Sequence, residues 1–101
     1  MKFIKSSFKI QMDEKHEFII ESRDGWIDES RTFGFYKFQG GWIATDLKSG
    51  SSITWKKTRK ACAQWIEENN FLFNKIFSSD GYKKSVLNFE RRKKTRNGKI
   101  L

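Results

Sequence analysis

The chain has 101 residues, with 21 Lys and Arg against 12 Asp and Glu, a net charge of +9 and 16% aromatic residues. That length holds one domain with a modest core, and its 10 Phe and 4 Trp bring enough apolar area to offset ordering entropy, which excludes a wholly disordered chain. The single Cys62 excludes an internal disulfide, no apolar run approaches the roughly 18 residues of a membrane span, and Met1-Lys2-Phe3-Ile4-Lys5 lacks a signal-peptide apolar stretch, so a cytoplasmic protein without a membrane partner is expected.

Residues 3–12 alternate, with Ile4, Phe8, Ile10 and Met12 on one parity and Lys5, Ser7, Lys9 and Gln11 on the other, as in a half-buried strand. A polar connection around His16 leads to a second short strand, Glu17 to Glu21, ending at the turn signal Asp24-Gly25. Thr32 to Gln39 is dense in rings, Gly40-Gly41 supplies the positive φ angles of a tight hairpin, and Trp42 to Leu47 returns. A further strand at Ser52 to Lys56 follows the turn at Ser49-Gly50. From Thr58, a plausible N-cap, the period becomes helical, with Ala61, Cys62, Trp65 and Ile66 on one face and a stop at Asn69-Asn70. Leu72, Phe73, Ile76 and Phe77 continue the spacing into a second helix, and residues 82–90 favour a third over a strand. Strands followed by helices give an α+β domain over residues 1–90: a small antiparallel sheet of about five strands, then two or three helices on one face. A basic, disordered tail over 91–101 completes the chain.

Which sheet face the helices cover depends on register, because a one-residue slip exchanges faces. Pairing across Gly40-Gly41 sets Phe38 opposite Ile43 and Tyr36 opposite Thr45. A two-residue Ser49-Gly50 loop places Ile53 and Trp55 with Phe35 and Ala44 in the core. A three-residue Lys48-Ser49-Gly50 loop, with Gly50 left-handed in a G1 bulge, gathers Tyr36, Phe38, Ile43, Leu47, Ile53 and Trp55 instead. The second option is preferred for its apolar face, leaving Arg31, Phe33, Phe35, Lys37, Trp42, Lys48 and Lys56 on the other. That other face is either a second layer of core or a platform on which bases stack between cations.

Charge is graded along the chain: five basic against seven acidic residues over 1–30, seven against three over 31–70, and nine against two over 71–101. Arg91, Arg92, Lys93, Lys94, Arg96 and Lys99 crowd the end. Such a gradient suits a polyanion, whose condensed counterions are released as phosphates are neutralised. Lys56, Lys57, Arg59 and Lys60 gather where a helix begins, opposing its dipole, and a phosphate resting there relieves the conflict. Lys83 and Lys84 add further phosphate contacts.

Arg31-Thr32-Phe33-Gly34-Phe35-Tyr36-Lys37-Phe38 resembles the RNP1 motif of RNA-recognition domains at six of eight positions, and with Trp26-Ile27-Asp28 it is similar to the aromatic segment of cold-shock domains. This resemblance implies base stacking by Trp26, Phe33, Phe35 and Phe38. Residues 33–68, three strands and a helix, resemble the arm-type DNA-binding domains of mobile-element integrases, which implies a sheet-borne DNA contact.

His16 lies among carboxylates in a turn, Cys62 sits on an apolar helix face, and Asp24, Asp28 and Glu29 read as solvated, so no enzyme, metal or cofactor is expected. The expected function is non-enzymatic binding of nucleic acid, DNA or RNA. The alternative is a phage or mobile-element protein that inhibits a host protein or ribonucleoprotein complex, such as an anti-CRISPR protein.

Overall fold

The alternating residues Phe3–Glu14 form strand β1, which pairs antiparallel with Glu17–Asp28, strand β2, from Phe3↔Asp28 to Glu14↔Glu17. The computed structural model describes residues 1–14 and 17–94, so His16 lies outside the described residues. Three more strands, β3 (Phe33–Phe38), β4 (Gly41–Asp46) and β5 (Ser52–Lys56), continue a five-stranded antiparallel meander in the order β1-β2-β3-β4-β5. Three helices follow: α1 (Arg59–Glu68), α2 (Asn70–Phe77) and α3 (Asp80–Lys93). Among the described residues no helix is long and apolar enough to cross a membrane.

β2 runs seven residues beyond the short strand expected, through the sequence that reads as a turn. Asp24-Gly25 does not reverse the chain; Gly25 is buried, and a Cβ added there would lie 2.1 Å from the Phe35 carbonyl oxygen. Only Trp26↔Phe35 and Ile27↔Gly34 pair β2 to β3. Beyond them the β1–β2 hairpin leaves the sheet and curls over it, until the Gln11 N–H donates to the Gly50 carbonyl at 2.9 Å. Gly25→Ala is expected to separate β2 from β3 and lower the denaturation midpoint in urea, since the atom it strikes is backbone and has no rotamer to escape into. An unchanged midpoint would show that the strands tolerate separation there.

Three expectations of register are corrected. The β3–β4 turn is Gln39-Gly40, both left-handed at φ 47° and 73°, rather than Gly40-Gly41. Its pairs are Tyr36↔Ile43 and Phe38↔Gly41, a slip of two residues that leaves every side chain on its expected face. Gly50 is left-handed at φ 69°, as expected: its N–H donates to the Asp46 carbonyl at 2.7 Å while the Asp46 N–H donates to Ser51 at 2.9 Å, the two-against-one pattern of a G1 bulge. Ile43 then faces Trp55 as the preferred loop requires, but a second irregularity between Ala44 and Thr45 turns Ile53 to the opposite face.

The helices cover that opposite face. Phe33, Phe35, Ala44, Cys62, Ala63, Ile66 and Phe73 form the buried cluster, with Phe35 at 0% exposure. Phe33 meets Phe73 edge to face at 5.6 Å, and Phe3 meets Phe35 at 5.2 Å. Phe33 and Phe35 are therefore the helix-covered core and offer no free ring face for stacking. Phe3 joins this side although it lies on the parity read as polar, while Ile4 is exposed. On the far side Phe8 approaches Tyr36 at 6.1 Å, Arg23 lies over the Tyr36 ring, and Trp55 stays 46% exposed with its indole N–H donating to the Phe38 carbonyl at 2.9 Å. The curled hairpin is thus the second layer.

Thr58 caps α1, its hydroxyl accepting from the Ala61 N–H at 3.0 Å, and Ser79 caps α3 by accepting from the Tyr82 N–H at 3.2 Å. α2 ends at Phe77 with Ser78 as its C-cap and the neighbouring Ser79 caps α3, so Ser78 to Gly81 closes one helix and opens the next. α3 continues through Lys93, so residues 91–93 are helix and not tail. Arg92 donates to the Gln11 side-chain oxygen at 2.6 Å and lies over the Phe18 ring, tying the end of α3 to the hairpin. Arg96 and Lys99 lie outside the described residues.

Candidate nucleic-acid interface

The hairpin carrying Lys37 and Trp42, the N-terminus of α1 and the first strand meet at an open groove of about 930 Å3. Arg59, the first residue of α1, reaches into it. Its guanidinium carbon lies 4.4 Å from the centre of the Phe3 ring, 4.5 Å from that of Trp26 and 6.0 Å from that of Trp42. The local reason is α1's start: the capping Thr58 is extended and fixes the first helical turn beside β4, while strand alternation brings Trp26 and Trp42 to the same sheet face as Phe35. The Lys37 ammonium lies 5.7 Å from the Trp42 ring, and Lys60 lines the same groove. Among its described lining residues the one carboxylate, Glu67, receives the N-terminal ammonium at 3.2 Å. Among the described residues no carboxylate pairs with Arg59.

The rings of Phe3 and Trp26 hold the guanidinium by cation–π attraction without using its N–H groups, so the fork keeps its donors for an oxyanion. Trp42 is half-buried and Lys37 exposed, so part of the indole and a cation lie open in the groove. This arrangement can hold a phosphate against Arg59 and a flat base against Trp42.

The remaining expected site residues disperse. Lys56 is half-buried opposite Trp42 in register and Lys57 is exposed beside it. Arg31 and Lys93 line a second, smaller groove floored by Phe8 and Phe89, where Lys9 joins them. Lys93 also pairs with Glu90 at 2.6 Å. Lys48 is exposed on the β4–β5 connection, and Lys83, Lys84, Arg91 and Lys94 are exposed along α3 and its C-cap. Phe3 carries no cue in the sequence, since one aromatic residue on a polar parity gives no periodic signal. Trp26 was marked by the cold-shock resemblance alone.

Asp28, read as solvated, is buried and structural: its carboxylate accepts the N–H groups of Thr32 and Phe33, both at 2.8 Å, and the Ser30 hydroxyl. These bonds hold Arg31 left-handed at φ 58°. Cys62 is buried, with desolvation pushing its thiol up from the ordinary range, which keeps it a protonated core residue. Among the described residues no three His, Cys, Asp or Glu side chains converge to hold a metal ion.

No protein-family model matches the chain, and no curated protein or solved structure matches it significantly.

Proposed function

We propose that the protein is a small non-enzymatic binder of nucleic acid, holding the backbone in the groove around Arg59. The observation that carries this reading is a guanidinium held against the rings of Phe3 and Trp26, without a described carboxylate partner, in a groove that also presents Lys37, Lys60 and the ring of Trp42. The +9 charge supplies the long-range attraction. Fluorescence anisotropy with single- and double-stranded DNA and RNA at two salt concentrations tests it: affinity should fall steeply with salt, and single strands, whose bases are free to stack, should bind more tightly than duplexes. Absence of binding to all four at low salt would overturn the proposal.

A second reading is favoured by α2. Phe71 is 75% exposed, and Leu72 and Ile76 are also open to solvent on this helix. Apolar groups clustered at a surface commonly mark a protein contact. The chain would then inhibit a host nucleic-acid-handling complex, as an anti-CRISPR protein does, and bind that complex tightly while ignoring bare nucleic acid.

A further inference from the structure

Arg31 occupies a position that favours glycine. It sits in the β2–β3 connection with φ at 58°, a left-handed conformation that strains an arginine and suits a glycine. Three bonds fix it: the Arg31 N–H donates to the Asp28 carbonyl at 2.9 Å, and the N–H groups of Thr32 and Phe33 donate to the buried Asp28 carboxylate, both at 2.8 Å. No described hydrogen bond, ion pair or ring contact of the exposed Arg31 side chain offsets that strain.

The side chain lines the second groove, of about 580 Å3, where Lys9 from β1 and Lys93 from α3 join it. Three elements remote in sequence thus deliver cations to one place, and among the described lining residues none is acidic. Glu90 pairs with Lys93 at 2.6 Å, whereas Lys9, like Arg31, has no described carboxylate partner. The hydroxyls of Ser6 and Ser7, also in the lining, already donate to the Ser7 carbonyl at 3.3 Å and to the Asp24 carboxylate at 2.7 Å. The side-chain donors left for a ligand are therefore cationic. A groove of this volume has room for a run of phosphates rather than a lone ion, with the guanidinium bonding in a fork and each ammonium as a point charge.

Its place relative to the groove around Arg59 decides what it does. Trp26 lines that groove and Ile27 lines this one, and consecutive residues of a strand face opposite sides of the sheet. The register agrees: Ile27 lies opposite Gly34, where an added Cβ would meet the Phe8 ring at 2.8 Å and Leu47 at 2.9 Å, two lining residues of this groove. The described linings of the two grooves share no residue, so a short strand seated in one leaves the other open.

We propose that the groove of Lys9, Arg31 and Lys93 binds a second segment of nucleic-acid backbone, so that one molecule bridges two strands, one on each face of its sheet. This rests on the reading of the protein as a nucleic-acid binder, and the Arg59 groove can hold its strand whether or not the second is filled.

The test uses the full chain and short oligothymidylates, half carrying a donor fluorophore and half an acceptor. Energy transfer between them should rise as protein is added and fall again once protein exceeds the strands, because each strand then finds a molecule of its own. Arg31→Gly removes the cation and leaves a residue suited to the left-handed backbone, so it should not lower the thermal midpoint. Combined with Lys9→Gln it should abolish the transfer, while anisotropy still reports the binding of a single labelled strand. Binding by the unaltered protein without transfer at any ratio overturns the bridge and leaves the Arg59 groove in place. Undiminished transfer in the folded double variant overturns it as well, since the strands then meet elsewhere. Absence of any binding overturns both readings together.

Discussion

Phe35→Ala should remove much of the stability of this protein, by about 3–5 kcal/mol, because the ring is at 0% exposure and truncation leaves a cavity between the sheet and α1. A domain of this size loses roughly 4–8 °C of Tm per kcal/mol, so the thermal midpoint should fall by more than about 10 °C. Phe33→Ala should behave similarly, since its ring meets Phe73 and Phe77 on α2. Trp55→Ala should cost only about 1 kcal/mol, the order of one hydrogen bond, because its ring is nearly half exposed and its N–H bond to Phe38 is the main interaction lost. This ordering is the reverse of what the preferred turn implies from sequence. Thermal unfolding of the three single variants decides it: a Trp55→Ala loss equal to that of Phe35→Ala would put the helices on the wrong face.

Arg59→Ala should weaken binding to single-stranded nucleic acid and reduce the slope of log K against log salt by about one unit, because one phosphate contact disappears. Arg59→Lys keeps the charge but not the flat fork, and should recover the slope while leaving affinity intermediate. Trp42→Leu, which retains apolar volume against the core, should cost about 1–3 kcal/mol of single-strand affinity and little duplex affinity, since only an unpaired base stacks on the ring. Anisotropy titrations at several salt concentrations measure all three. An unchanged salt slope in Arg59→Ala would remove this groove from the binding surface and transfer the phosphate contacts to the groove that holds Lys9, Arg31 and Lys93.

Local chemistry made much of the architecture legible. Ser52–Lys56 is a strand, Thr58 an N-cap and Gly50 a left-handed bulge residue for reasons contained in a few neighbouring side chains, and these expectations match the fold. The candidate site was legible only in part. Lys37, Trp42, Arg59 and Lys60 were marked by charge and aromatic content, but their convergence was not, and the partners Phe3 and Trp26 come from strands remote in sequence. Phe33 and Phe35 were marked by the same signal and belong to the core, because a ring that stacks a base and a ring that packs a helix look alike in sequence.

By itself the sequence determined the α+β class, a sheet of about five strands followed by two or three helices, and the surplus of cations, since propensity, turn chemistry and charge act over a few residues. Tertiary structure alone decided which face the helices cover. β3 and β4 carry aromatic residues on both parities, so the alternation is nearly symmetric, and the choice falls to the bulge at Ala44/Thr45 and the path of the chain into α1. Tertiary structure likewise turned Asp24-Gly25 from a turn signal into continuous strand, because a residue without a Cβ permits the approach to β3 from which the hairpin curls away. It also drew Arg91–Lys93 into α3, where Arg92 reaches Gln11, a contact 81 residues distant in the chain that no local pattern encodes.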